Sequence, residues 1–183
     1  MAPQGRVRAA TVRAGRRLGA SALDLLVVAG WVVVAAALGV LLRQLGVDVA
    51  ASELTSNLTA FAVLVAPVVV TFAAQDSSAS RATFGKRRLG LQVVDRDGGR
   101  VGLPRALARE SVRFSPWVLA HVAVFGLARG SDWPGYLVLA VLAQVIVLAS
   151  VVMMAADRQG RAIHDWCAGT RVVAATAPPA TGP

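Results

Sequence analysis

Asp24 is the residue whose position most demands a chemical account, because it lies inside an apolar run, LGASALDLLVVAGWVVVAAALGVLL, at residues 18–42. A charge deep in a membrane span costs roughly 2.5–3.5 kcal/mol, whereas each Leu or Val returns only a few tenths. The run carries enough Leu and Val to insert regardless, so a carboxylate kept there is a candidate functional group. Arg17 precedes Asp24 by seven residues. On a helix the two stand about 20° apart around the axis and about 10 Å apart along it. They share a face but meet only if the long arginine reaches inward. Asp165, in the carboxyl-terminal segment, is the acid best placed to meet Arg17 from the aqueous side. An arginine fork can bridge two carboxylates, which a lysine does poorly. Arg17, Asp24 and Asp165 therefore form a candidate charge cluster. The favoured reading is a cluster that pins the first helix to the carboxyl tail. The alternative is an ion or proton pathway through Asp24, with His121 and Gln144 as its further polar groups.

Other constellations are weaker. His164-Asp165 and Cys167 suggest a base and a nucleophile, but neighbouring positions rarely face each other and no oxyanion loop accompanies them. The chain is read as a non-enzyme. A phosphate loop around Gly85-Lys86 would need Gly at position 80 and Ser or Thr at 87, where Ser80 and Arg87 stand. Two scattered histidines and a single cysteine give no metal spacing and no internal disulfide, so no cofactor or metal is expected.

The elements that must position these groups are membrane helices. The 183 residues are 56% hydrophobic and only 16% charged, far from the soluble pattern of about 25% charged. Residues 1–16 read as a flexible basic tail with Arg6, Arg8, Arg13 and Arg16. The run after it is too long for a signal-peptide core and makes about 37 Å of helix, enough for a bilayer core of about 30 Å. A second run, residues 58–74, is short and should kink at Pro67. A third, residues 114–128, is the weakest span, helped by snorkelling Arg113 and Arg129. Trp117 and Trp133 are placed like interfacial anchors. A fourth run covers residues 134–156. The fold class is thus an all-α membrane protein, a four-helix transmembrane bundle.

The polar segment 75–113 carries a small β-hairpin and an amphipathic helix. Leu89, Leu91 and Val93 alternate with neighbours on the other face, and Asp97-Gly98-Gly99 supplies turn residues. The strand at 89–94 is expected to pair with 100–103, and Thr170-Arg171-Val172-Val173 to add a third strand over the open edge. Arg105, Arg109 and Arg113 then fall on one helix stripe. Together with Lys86, Arg87 and Arg88 they are assigned to anionic lipid headgroups rather than nucleic acid.

Charge asymmetry orients the bundle. Of nineteen basic residues, seventeen fall in the amino tail, the 75–113 segment and the carboxyl tail, with Arg43 and Arg129 alone in the other connections. The positive-inside rule puts both termini and the large segment in the cytoplasm of a multi-pass cell-membrane protein. Residues 174–183, rich in Pro, Ala and Thr, read as a disordered tail.

These residues carry a resemblance. The chain resembles the RDD family of membrane proteins, named for one arginine and two aspartates. The spacing R-L-G-A-S-A-L-D stands at Arg17 and Asp24. A Thr-x-Gly-Lys-Arg segment followed by a Gly-Leu-x-Val-Val strand stands from Thr83 to Val94. A basic residue, His-Asp and Ala-Gly-Thr stand at Arg161, His164-Asp165 and Ala168-Gly169-Thr170. The resemblance covers about residues 16–173 and implies a membrane domain at 17–173. It suggests transport without naming a substrate. A structural or accessory role and a small ion or solute transporter both stay open, with a second copy or a membrane partner protein as a possible companion.

Overall fold

The structure is a computed structural model, described here for residues 12–47 and 52–175. Most of the basic tail (1–11) and the Pro/Ala/Thr-rich end from 176 lie outside the described residues. Among the described residues, four helices are long and apolar enough to cross a membrane. The first, α1 (Ala14–Gln44), is 31 residues long, about 46 Å of helix. The second span is built from α2 (Glu53–Ala60), a π turn at Phe61–Val65 and α3 (Ala66–Asp76). A short helix α4 (Phe84–Arg88) and strand β1 (Leu91–Asp95) follow. The third and fourth spans are α5 (Leu103–Ala128) and α6 (Gly135–Ala156). Helix α7 (Ile163–Ala168) and strand β2 (Thr170–Ala174) close the described chain. The protein is therefore mostly helical, a four-helix membrane bundle with a small sheet.

Pro104 sits in the first turn of α5, where no hydrogen bond is lost, and the two prolines deeper in the spans are accommodated by hydrogen bonds from nearby side chains. Pro67 has no N–H to offer the carbonyl of Val63, four residues earlier, and the Trp31 indole of α1 donates to that oxygen at 2.9 Å. The distortion appears as the π turn just before the proline. Pro116 likewise frees the Val112 carbonyl, which accepts from Ser115 Oγ at 2.9 Å. In a lipid environment an unpaired carbonyl is costly, and these two side chains remove that cost.

Two features differ from the sequence expectation. The stretch 105–113 is not a separate headgroup-lying helix; it is the first part of α5, so the third span has 26 residues and needs no help from snorkelling. The expected pairing of 89–94 with 100–103 is also absent. The turn itself forms, with Asp95 Oδ1 accepting from Asp97 N at 2.9 Å and Gly99 N at 2.7 Å. Beyond it, Arg100 is tied to the Ser77 carbonyl, Val101 is buried in the core and Gly102 begins the approach to α5. β1 pairs instead with β2, antiparallel, from Leu91 opposite Ala174 to Asp95 opposite Thr170. The other edge of β1 is partly occupied, since Val93 N donates to the Arg81 carbonyl at 2.7 Å. Leu91, Val93, Val101, Ala106 and Val172 pack into one core that joins the sheet to the foot of the bundle. A second core, higher in the bundle, joins Val28, Val68, Phe72 and Phe114.

Candidate functional site

The end of the bundle nearest the sheet holds a buried network of charges, with Arg109 at its hub. Arg109 lies on the buried face of α5 and is 1% exposed. Its Nε and Nη2 donate to Asp165 Oδ1 at 3.0 and 2.9 Å, and its Nη1 donates to Asp76 Oδ2 at 2.7 Å and to Glu110. Asp76 ends α3, and both its oxygens also accept from Lys86 Nζ of α4 at 2.7 Å. Asp165 sits in the first turn of α7, where its Oδ2 accepts from Ala162 N at 3.0 Å and Arg17 Nη2 at 2.5 Å. Arg17 also donates to the Gly160 carbonyl.

A second branch leads to Asp24. Glu110 Oε2 accepts from Arg113 Nη1 at 3.2 Å, and Arg113 Nη2 lies 3.7 Å from Asp24 Oδ2. The Arg113 guanidinium also covers the Phe72 and Phe114 rings, at 5.5 and 5.6 Å from their centroids. Asp24 accepts from Thr83 Oγ1 at 2.6 Å and from Gly85 N at 2.7 Å. Gly85 is required there, because a Cβ would run into the Ala20 carbonyl and lie 2.9 Å from Asp24 Oδ1. The α4 backbone thus approaches α1 closely enough to give the intramembrane carboxylate an amide donor.

Among the described residues the network counts four cations (Arg17, Lys86, Arg109, Arg113) and four carboxylates (Asp24, Asp76, Glu110, Asp165). His164, 3.8 Å from Asp165 Oδ1, adds no charge at neutral pH. Burial pushes its imidazole down to about 3, and Asp165 only partly opposes this. Burial also lowers the Lys86 amine, with Arg109 adding to the effect against Asp76, to about 8. For Asp165 burial favours protonation, but Arg109 and Arg17 outweigh it and hold the carboxyl well below the usual carboxylate range.

These are the signatures of the RDD pattern brought to one place, with Arg17 and Asp165 in contact and Asp24 on the Thr83–Gly85 segment. The RDD family model matches residues 11–169 of the chain. The chain belongs to the RDD family. No curated protein and no solved structure matches it. As an RDD-family membrane protein, it places the sequence candidates as follows.

Arg17 and Asp24, although on one helix, do not pair; each reaches a different branch, and Arg109, Glu110 and Arg113 connect the branches. Lys86 and Arg109 are not at the headgroups. They are 6% and 1% exposed, and Arg113 is largely buried with its charge turned to Glu110 and Asp24. Their stripe faces carboxylates from three other segments, and a buried carboxylate is a stronger attractor than a hydrated phosphate. Arg87, Arg88 and Arg105 are exposed, with Arg87 Nη1 donating to the Ala82 carbonyl at 3.1 Å and Arg88 over the Phe84 ring. Asp76 and Glu110 are site residues that the sequence reading missed, whereas Thr83 and Gly85 stood in the Thr-x-Gly-Lys-Arg segment without a role at the site. The only sequence signal for Asp76 was an acid ending an apolar run, and Glu110 was hidden among arginines.

A cavity of about 670 Å3 opens from this network between α1, α5 and α6. Arg17, Asp24 and His164 line its charged end, and His121, Gln144 and Ser150 are polar positions among apolar walls. His121 stacks on Phe125 with ring centroids 4.3 Å apart. Gln144 is exposed on α6. Neither touches the charge network directly.

Proposed function

We propose that this RDD-family protein is a structural or accessory membrane protein, not an enzyme, whose charge network fixes the sheet-bearing end of the bundle as one rigid face. The observation that supports this best is the pairing of four cations with four carboxylates, drawn from α1, α3, α4, α5 and α7. Both oxygens of Asp24 already accept a hydrogen bond, from Thr83 and Gly85, and Arg113 stands beside them, so the carboxylate is held within the network. Buried ion pairs of this kind serve registry: removing one partner is strongly unfavourable, while the intact set adds little net stability.

In this reading the sheet-bearing face is cytoplasmic, as are both termini, and the bilayer is the cell membrane. Thirteen of the basic residues on that side remain outside the network, against two on the other. Arg87, Arg88 and Arg105 meet anionic headgroups there, and a membrane partner protein or a second copy docks on the fixed face. Reporter fusions at positions 50, 95, 131 and 178 test the orientation. An external signal at 95 or 178 removes it.

A second reading, a small ion or solute transporter, is favoured by the 670 Å3 cavity that joins Asp24 to His121 and Gln144. Flux into proteoliposomes across a panel of cations separates the two. A cation-dependent flux lost in Asp24→Asn, with the variant still folded, selects the transporter. No flux for any cation leaves the structural role.

A further inference from the structure

We propose that a cavity of about 340 Å3 beside the sheet, lined by Arg96, Gln159, Arg161, Trp166, Thr170 and Arg171, is a binding site for a phosphate-class oxyanion. The site shares no cation with the charge network, and it stands whether the bundle is structural or conducts. Three guanidinium groups converge on it from three segments: the end of β1, the loop after α6, and β2. Arg161 is held in place by Asp157, whose Oδ2 accepts from Nε at 3.1 Å and whose Oδ1 accepts from Nη2 at 3.2 Å. That grip sets the guanidinium 3.7 Å from the centroid of the Trp166 ring. Asp157 is thereby committed to Arg161.

Arg96 and Arg171 have no carboxylate partner among the described residues. The Nε of Arg171 is buried without a hydrogen-bond partner, an unusual state for a cationic donor. Arg96 is exposed, with its guanidinium packed against Gly169 so closely that a Cβ there would lie 3.0 Å from Nε. Gly169 adopts a positive φ of 63°, so the backbone at the start of β2 leaves room for that packing. The cavity therefore carries two uncompensated positive charges on forked donors, with one orphaned N–H already desolvated. A phosphate group supplies one to two negative charges and several acceptor oxygens, which is what two forks and a buried Nε–H require. Gln159 and Arg161 follow the last residue of α6 by only three and five positions, so the cavity lies close to the end of the fourth span, where a headgroup phosphate is a natural source of the oxyanion. The oxyanion is a lipid headgroup phosphate or a free phosphate compound.

The test uses the full chain in detergent. Phosphatidic acid binding is followed by native mass spectrometry, with phosphatidylcholine as the neutral reference, and inorganic pyrophosphate is titrated separately and as a competitor. Arg96→Gln and Arg171→Gln are each expected to weaken binding on the order of tenfold. Arg43→Gln, which removes an equal exposed charge at the other end of the bundle, should change it by less than about twofold, whereas a purely diffuse attraction would weaken as much in this variant as in the cavity variants. Arg171→Lys, which keeps the charge and loses the fork, should behave like Arg171→Gln. Binding of the lipid that pyrophosphate does not displace assigns the site to headgroups; binding of pyrophosphate assigns it to soluble phosphates. The proposal is overturned if neither probe binds above the neutral lipid, or if Arg43→Gln loses as much as Arg96→Gln. Arg96 is exposed and unpaired, so its variant reports on binding even if Arg171→Gln fails to fold.

Discussion

Arg109 and Asp165 meet through two hydrogen bonds to a single oxygen, Oδ1, at 3.0 and 2.9 Å, while the other oxygen of Asp165 is left to Arg17 at 2.5 Å. One carboxylate thus ties the first span and the third span to the helix that precedes β2. Its amide contact with Ala162 N also anchors it to the chain that it caps.

Removal of Asp165 should therefore be among the most damaging single changes. Asp165→Ala leaves two buried guanidinium groups without a shared acceptor, and a loss of roughly 3–5 kcal/mol is expected. In double-mutant cycles on unfolding in detergent, Arg17→Ala with Asp165→Ala should couple by more than about 0.5 kcal/mol. Arg17→Ala with Asp24→Ala should be close to additive, because those two residues have separate partners. Strong coupling in the second cycle would contradict the two-branch arrangement.

Gly85 is the point where α4 touches α1, and space there is exhausted. Gly85→Ala drives a methyl group into the Ala20 carbonyl and Asp24, so α4 must shift and the amide bond to Asp24 must lengthen. The expected cost is about 1–3 kcal/mol. Gly15→Ala, where a Cβ meets nothing, is the matched control, and thermal melts of both variants compare them. Equal melting temperatures would sink this contact.

The pH dependence of stability should carry the mark of His164. Its folded-state imidazole titrates at about 3, whereas an unfolded histidine titrates near 6.5, so between those values the unfolded chain holds the extra proton. Stability should thus fall as pH drops through this window. Asp165, whose carboxyl is also held low, extends the loss further below the usual carboxylate range. Melting curves from pH 7 to 4 should flatten in His164→Gln between about pH 6.5 and 4. An unchanged slope in that variant would remove His164 as the cause.

Hydrogen exchange should separate the true strand pair from the expected one. Amides of 91–95 and 171–174 belong to the β1–β2 ladder and should exchange slowly. Residue 100, beyond the turn, should exchange faster than Val93, whose N–H is held by the Arg81 carbonyl. Protection at 100 equal to that at 93 would restore the hairpin.

The four spans were legible in the chain because hydropathy adds up locally: a run of Leu, Val and Ala states its own length, and no distant residue is needed to interpret it. For the same reason Pro67 announced a local distortion in the second span. Arg17 and Asp165 could be suggested as partners because topology alone puts both at one end of the bundle. What the sequence could not settle was the direction in which each charged side chain points. Arg105, Arg109 and Arg113 look alike as a stripe, yet the first is exposed, the second buried and the third partly buried, because that depends on how α5 is rotated against α3 and α7. The pairing of β1 with β2 rather than with 100–103 was decided in the same way. Val101 gains more by entering the core than by extending a ladder, and the tail strand, carried to the sheet by the grip of Asp165 on Arg17 and Arg109, takes the open edge. Ion pairs between residues far apart in sequence form only after the helices have chosen their neighbours, so the identity of the hub, Arg109, belongs to the tertiary structure alone.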